Sequence, residues 1–419
     1  MKQPPRVRLS PLRQLGPGLI TGAADDDPSG IATYSQAGAQ FGFSMLWTMV
    51  FTLPLMTSIQ NISARIGYVT GHGLAANIKR SFPRPVVMGV VGLLLLANTL
   101  NIAADIAAMA EALRLLLGGS PHVYAVTFGL VSLVLQVFLP YQRYVAWLKW
   151  LTLALLAYVS VAFLVHVDWR EVALRTVHPQ LELSRDTLLM VVAVFGTTIS
   201  PYLFFWQAAQ EVEDKDAGAP HTEREVRHHL RRIKWDTRIG MGFSNLIAFF
   251  IILATAATLH AAGIHDIETS AQAAQALRPV AGHWAFLLFA LGIIGTGMLA
   301  VPVLAGSAAY AVAEAAGWEG SLSLRLEDGR GFGFYGVIAV ATLGGLGLCF
   351  TPADPVRELF WSAVLNGVIA VPIMVVMMLL ATRESVMGPH VIGRRLRWLG
   401  WIATAAMACV VGALGVSLA

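Results

Sequence analysis

The stretch Gly22-Ala23-Ala24-Asp25-Asp26-Asp27-Pro28-Ser29-Gly30 interrupts a long apolar run that extends from near Gly16 to about Gln40. An Asp at mid-membrane costs roughly 2.5–3.5 kcal/mol on insertion scales, so three in succession need water, partners or a cation. Pro28 removes a backbone donor and pushes Asp27 out of the α region. Gly30 tolerates whatever backbone conformation follows. Irregular backbone is permitted at membrane depth only where protein buries it or it lines a cavity. A broken helix carrying acids at its break is how a transporter builds a mid-membrane cation site. An aqueous loop between two separate helices is the competing reading, but the flanking pieces are each too short to span a bilayer.

That reading requires a membrane, and the composition supplies one. Apolar residues make up 56% of the 419 and charged residues 13%, which predicts an all-α polytopic membrane protein with the bilayer as its main partner. A positive charge in such a chain reflects where Lys and Arg sit relative to the membrane and does not indicate nucleic acid. Cys349 and Cys409 fall in apolar segments, which gives neither a disulfide framework nor metal-ligand spacing. No small-residue cleavage site follows Lys2, Arg6, Arg8 and Arg13, so no cleaved signal peptide is expected. The chain shows no phosphate-binding glycine loop, Ser-His-Asp set or zinc spacing, so neither an ATP-driven pump nor an enzyme is expected. No cofactor beyond a transported ion is expected, and no partner protein.

Eleven apolar segments are expected, near 16–40, 43–66, 86–117, 122–140, 145–166, 187–210, 237–262, 283–314, 333–350, 357–381 and 396–417. A cytoplasmic N-terminal segment, 1–15, places most of the 29 Lys and Arg residues on the cytoplasmic side. The C-terminus then lies outside, in a multi-pass protein of a bacterial-type inner or plasma membrane. A cytoplasmic loop is expected over 211–235, whose His221, His228 and His229 read as solvated loop residues. The outer-loop cluster of His260, His265, Asp266, Glu268 and His283 is read in the same way.

Segment six carries a second interruption, Gly196-Thr197-Thr198-Ile199-Ser200-Pro201-Tyr202. A proline kink alone is ordinary, but segments one and six open two groups of five, 16–166 and 187–381. Because five is odd, the second group enters from the opposite side, and the site falls where the two broken helices meet. The additional helix, 396–417, stands outside the repeat. Carboxylates and freed carbonyls from segment one would meet the hydroxyls of segment six in an oxygen-rich, net-negative site that prefers a cation. Not all three Asp residues can face one ion, since successive side chains diverge. Asp27 is the expected ligand, while Asp25 and Asp26 are ligands, vestibule charges or partners of basic residues. Segment three places Asn98, Asn101 and Asp105 on one face, either as a cavity lining and proton relay or as a helix–helix hydrogen-bonding stripe. Asn245 in segment seven and Asn366 in segment ten are single polar residues suited to packing.

These motifs resemble the Nramp family of divalent-metal transporters, in particular its divergent, magnesium-transporter-like branch. Gly16-Pro17-Gly18 and Asp27-Pro28-Ser29-Gly30 are similar to the family's opening GPG and DPGN motifs. Gln60, Ser63 and Gly67-Tyr68-Val69-Thr70-Gly71 resemble its second segment. Ile102-Ala103-Ala104-Asp105-Ile106-Ala107 resembles its A-x-x-x-D-L-A pattern, and Asp236 through Phe243-Ser244-Asn245 its D…F-x-N entry. The resemblance covers about the first ten segments. It implies a LeuT-type 5+5 inverted repeat with about eleven transmembrane helices, one and six broken, and a metal site between those two. It implies Asp27 as the metal-binding aspartate and Thr197 as the donor of a backbone carbonyl.

The departures from the pattern carry the chemistry. Gly30 replaces the family's asparagine and Ser200 its methionine, and Tyr202 stands where a histidine is expected. Ala108 replaces a glutamate, and the arginines of segment nine are missing. Thioethers favour soft or borderline metals, whereas carboxylate, hydroxyl and carbonyl oxygens suit magnesium or manganese. The expected function is transport of a hard divalent cation, Mg2+ or Mn2+, by alternating access without strict proton coupling. The alternative is an ion-coupled carrier of an amino acid or other small organic solute, admitted by the space at Gly30.

Overall fold

The computed structural model describes residues 17–139, 148, 150–179, 184–216, 223–322, 324, 331–351 and 354–418, and those residues are almost wholly helical. The first break falls where the acids and proline predict it. Helix α1 (Pro17–Asp25) stops at Asp25, and α2 (Pro28–Phe41) starts three residues later with Asp27 as its N-cap. Asp and Pro occupy the N-cap and first helical positions that each favours. The second break is similar. Helix α9 (Arg185–Thr198) ends before Ser200, and α10 (Pro201–Asp216) begins at the proline.

Between the breaks lie α3 (Leu46–Thr70), the short α4 (Leu74–Ser81), α5 (Arg84–Leu117), α6 (Pro121–Phe138), α7 (Leu156–Leu164) and α8 (Trp169–Val177). After them come α11 (Glu223–Thr258), α12 (Ala285–Ala316), α13 (Phe332–Leu348), α14 (Pro355–Ala381) and α15 (Arg394–Leu418). Every expected apolar segment therefore contains a helix, although segment five is partly outside the described residues.

Eight helical stretches among the described residues are long and apolar enough to cross a membrane, or nine with the pair around α7 and α8, which bends by 116°. Eleven segments give this smaller number for physical reasons. Helices α2 and α3 run on through one turn of 3-10 helix at Gly42–Met45 and form one continuous stretch. Helix α13 has only 17 residues.

The expected loop over 211–235 is largely helical. Helix α10 reaches Asp216, and α11 starts at Glu223, so only a short part of it lies outside the described residues. The i,i+4 pair Glu223–Arg227 and the Arg232–Asp214 ion pair lie on the polar side of α11, while Val226, Leu230 and Ile233 pack on Ala64 and Tyr68 of α3. His221 lies outside the described residues. His228 is exposed, and the His229 ring stacks on Tyr68 at 4.0 Å.

Both halves of the first broken helix lie against α11, while α9 packs on α14 and α10 on α3 and α12. The α1–α11 approach is backbone to backbone. A Cβ on Gly22 would collide with Gly240, and one on Gly18 would meet the amide nitrogen of Thr237 at 2.7 Å. Small residues four apart permit such contact between membrane helices. Asp236 of α11 accepts from the Gly18 amide at 2.8 Å, satisfying an orphan donor at the start of α1. Gln60 and Ser63 of α3 donate to the carbonyls of Leu203 and Phe204, which holds the first turn of α10.

Gly22→Ala is expected to force α1 off α11 at an overpacking cost of about 1–3 kcal/mol. The thermal unfolding midpoint in detergent should fall. Gly89→Ala, which adds a Cβ where no atom lies within 4 Å, should not lower it.

Candidate metal site

Asp27 stands at the junction of the two breaks. As the N-cap of α2, its Oδ1 accepts from the Gly30 amide at 2.7 Å. Its Oδ2 lies 3.2 Å from the Tyr202 hydroxyl, which is also 3.1 Å from the Ala24 carbonyl. A phenol has one proton, so it serves one of these acceptors at a time. A carboxylate that caps with one oxygen keeps lone pairs on the other for a cation.

Residues of the second break close the opposite side. A Cβ on Gly30 would come within 3.2 Å of Thr197 Oγ1 and 3.4 Å of the Asp25 carbonyl oxygen. Glycine is thus what lets the two broken helices touch. Tyr34 and Thr198 join hydroxyls across the same seam at 3.0 Å. The Ser200 hydroxyl donates back to its own helix, within 2.9 Å of Gly196 O and 2.8 Å of Thr197 O. Its proton is committed, but its oxygen lone pairs and the second lone pair of the Thr197 carbonyl stay available. Asp27, Thr197 and Ser200, together with Gly30 and Tyr202, are therefore gathered at one place.

Asp25 and Asp26 point elsewhere. Both approach Ser244 Oγ of α11, at 2.6 and 2.9 Å, and one hydroxyl proton cannot serve both. Asp25 Oδ1 has no hydrogen-bond partner. Neither residue forms an ion pair with an arginine among the described residues. No three His, Cys, Asp or Glu side chains there converge on a point that could hold one ion. Ser244 was not singled out by the sequence as a site residue. The signal was present only in its place one residue before Asn245 in the segment-seven motif.

The polar face of α5 divides in two. Asn101 and Asn366 exchange amide hydrogen bonds at 2.9 and 3.2 Å, and Asn98 donates to Leu304 O and Ser307 Oγ, both at 2.8 Å. These are bonds between helices rather than a relay. Asn245 likewise donates to the Met49 carbonyl at 2.9 Å. Of the two readings of that face, Asn98 and Asn101 bond as a helix–helix stripe would, and Asn245 bonds to a facing helix as a packing residue does. Asp105 differs. It is fully buried, both oxygens lack hydrogen-bond partners, and it lies within electrostatic reach of Asp27.

The site is closed to solvent, with Asp25, Asp26 and Asp27 at 1%, 4% and 2% exposure. Beyond the closure, a cavity of about 150 Å³ opens along α2 between Gln36, Gln40, Asp186, Asp266, Arg357 and Trp361. A smaller one, lined by Ile31, Ala32, Ser35 and Ala108, lies nearer the break.

Two broken helices meeting at a buried, oxygen-lined centre define a polytopic membrane protein of the LeuT type, and solved structures share that fold. The Eremococcus coleocola manganese transporter, in complex with an aromatic bis-isothiourea substituted compound, superposes with a TM-score of 0.72 at 18% identity, covering 97% of this chain and 87% of that one. Mhp1, a nucleobase-cation-symport-1 family transporter, gives 0.58 at 16% identity, covering 96% and 92%. In sequence, the chain is 26% identical over 406 residues to a divalent metal cation transporter MntH of Klebsiella pneumoniae, covering 95% of this chain and 92% of that one. It is 28% identical over 303 residues to the MntH of Aeromonas hydrophila, covering 70% and 71%. The model of the natural resistance-associated macrophage protein-like family matches residues 18–417, and the chain belongs to this Nramp family.

Ser244→Ala removes the hydroxyl beside two buried carboxylates, where losing a hydrogen-bond donor costs about 1–3 kcal/mol. A lower unfolding midpoint is expected in detergent, with Ser244→Thr restoring most of it.

Proposed function

We propose that the protein is a secondary transporter that moves a hard divalent cation, magnesium or manganese, across the membrane by alternating access. The observation that carries this is the donor set at the two breaks: the Asp27 oxygen not used in capping, the Thr197 carbonyl and the Ser200 hydroxyl. It is an all-oxygen set with one nearby carboxylate and no sulfur. Such ligands suit magnesium, calcium and manganese, and magnesium in particular keeps several waters and needs few protein ligands. The names of the MntH relatives and of the Eremococcus structure support the divalent-cation class.

In this reading the closed arrangement is the occluded stage of the cycle. Asp27 binds the ion, Thr197 and Ser200 complete the inner shell with retained water, and Asp25 and Asp26 contribute negative potential from the α11 side. The N-cap bond from Gly30 fixes the Asp27 rotamer, so its second oxygen is held toward α9 and α10. The seam from Tyr34 to Thr198 and from Tyr202 to Asp27 must part when either half-helix moves. Proton movement is not required. A divalent ion entering along 100 mV gains roughly 4–5 kcal/mol, enough to drive uptake without a coupled proton.

Ser200→Met tests the selectivity argument in reconstituted vesicles. The substitution should lower the cadmium concentration that halves manganese influx by ~10-fold or more, since a thioether prefers the softer ion. Excess magnesium should block influx through the native chain, and amino acids should not. Inhibition by amino acids without inhibition by magnesium would contradict the reading.

A further inference from the structure

The large cavity along α2 and the smaller one nearer the break share a wall. Ala32, Ile267 and Val356 line both. Ala32 belongs to α2 and Val356 to α14, so their backbones are fixed by helical hydrogen bonds. Ile267 instead belongs to 264–268, irregular backbone between α11 and a short helix at Ser270–Gln275. Its side chain is only 5% exposed. The inner space adjoins the centre. Ile31 and Leu359 bound it, and the Leu359 carbonyl accepts from the Ser29 hydroxyl, two residues after Asp27, at 2.9 Å.

Size decides what can pass. The inner space is about 20 Å³, room for about one water. Magnesium sheds water reluctantly and keeps several in its shell. An ion of that kind cannot cross the shared wall while Ile267 stays in place.

One side chain holds Ile267 there. Gln36 Oε1 accepts from the Ile267 amide at 2.9 Å, and its Nε2 donates toward the His265 carbonyl at 3.3 Å and Asp266 Oδ1 at 3.2 Å. The carboxamide thus brackets Asp266 as a neighbouring strand would, meeting the carbonyl before it and the amide after it. The Nε2 bonds lie at an exposed rim, where water replaces them at small net cost. Gln40 Oε1, 3.4 Å from the same nitrogen, is an acceptor ready to take over when Asp266 leaves. A pivot stands at the other end of the segment. Gly263 has φ +79, and no atom lies within 4 Å of where its Cβ would be. Before the pivot, His260 Nδ1 stays 2.8 Å from the Ala39 carbonyl. In the large cavity Asp186 and Asp266 outnumber Arg357, so cations gather in front of the wall.

We infer that Gln36 and Ile267 form a gate on the path between the large cavity and the Asp27 centre. Ile267 is the plug, Gln36 is the latch, and residues 264–268 are the strap that swings from Gly263. The inference rests on the transport reading and adds the ion's route to it.

Thiol labelling of the purified full chain in detergent tests the gate without requiring transport. In a Cys349→Ala/Cys409→Ala background, Ala108→Cys places a reporter on the wall of the inner space. A charged methanethiosulfonate should modify it slowly, and ~10-fold or more faster after Gln36→Ala or Ile267→Ala, because labelling follows the open population. Ile267→Leu, which keeps the plug's volume, should retain the slow rate. Equal rates in all four proteins would overturn the gate. Flux through reconstituted vesicles gives the second arm. Joining the thiols of Gln36→Cys/Asp266→Cys with a cleavable bifunctional reagent should stop divalent influx, and reductant should restore it. Undiminished influx through the joined protein would also overturn the gate. Faster labelling after Gln36→Ala, with no divalent flux through the native chain, would keep the gate and reject the transport reading.

Discussion

The fold depends on one constraint, that the helix breaks at Asp27-Pro28, where the aspartate caps a new helix, at membrane depth. The proline removes a donor and the aspartate takes over as cap, so the free backbone groups of the break are met by a side chain rather than by water. A carboxylate fixed in that role cannot move far without unmaking the first turn of α2. Everything around it follows. The second helix must break opposite, Gly30 must lack a side chain, and α11 must come close enough for Gly22 to touch Gly240. Charge is brought into the membrane and held by hydrogen bonds from Gly30, Tyr202 and Ser244.

The arrangement separates the roles of three adjacent, identical residues. Asp27 belongs to the seam between the two broken helices, whereas Asp25 and Asp26 are drawn to α11 by one serine hydroxyl. Net negative charge is thus spread around the centre while one carboxylate is presented to it.

Much of this was legible in the residues. Acids, proline and small residues inside an apolar run mark a break, and the spacing of two such breaks gives the inverted repeat and the place where they meet. The polar stripe on α5 was legible only as a stripe, because helical spacing places Asn98, Asn101 and Asp105 on one face without saying what opposes them. Asn366 and Ser307 come from more than 200 residues away and turn two of the three into packing. Ser244 was hidden for the same reason, since a lone serine in a helix gives no signal until Asp25 and Asp26 are placed beside it. The helical extension of α10 and α11 was obscured by their mixed charge. The apolar face of α11 there is only Val226, Leu230 and Ile233, packed on Ala64 and Tyr68 of α3, and the charges around those three residues hide their period.

Divalent-cation influx into proteoliposomes, with lumenal pH read in parallel, tests the central claim for the native chain and Asp27→Ala. The account predicts magnesium or manganese influx that Asp27→Ala reduces to background, with no lumenal acidification accompanying the native flux. Absence of divalent flux in vesicles shown to hold folded protein, or equal flux through Asp27→Ala, would contradict it. Acidification in step with the metal would contradict the uncoupled mechanism and direct attention to the unpartnered carboxylate of Asp105.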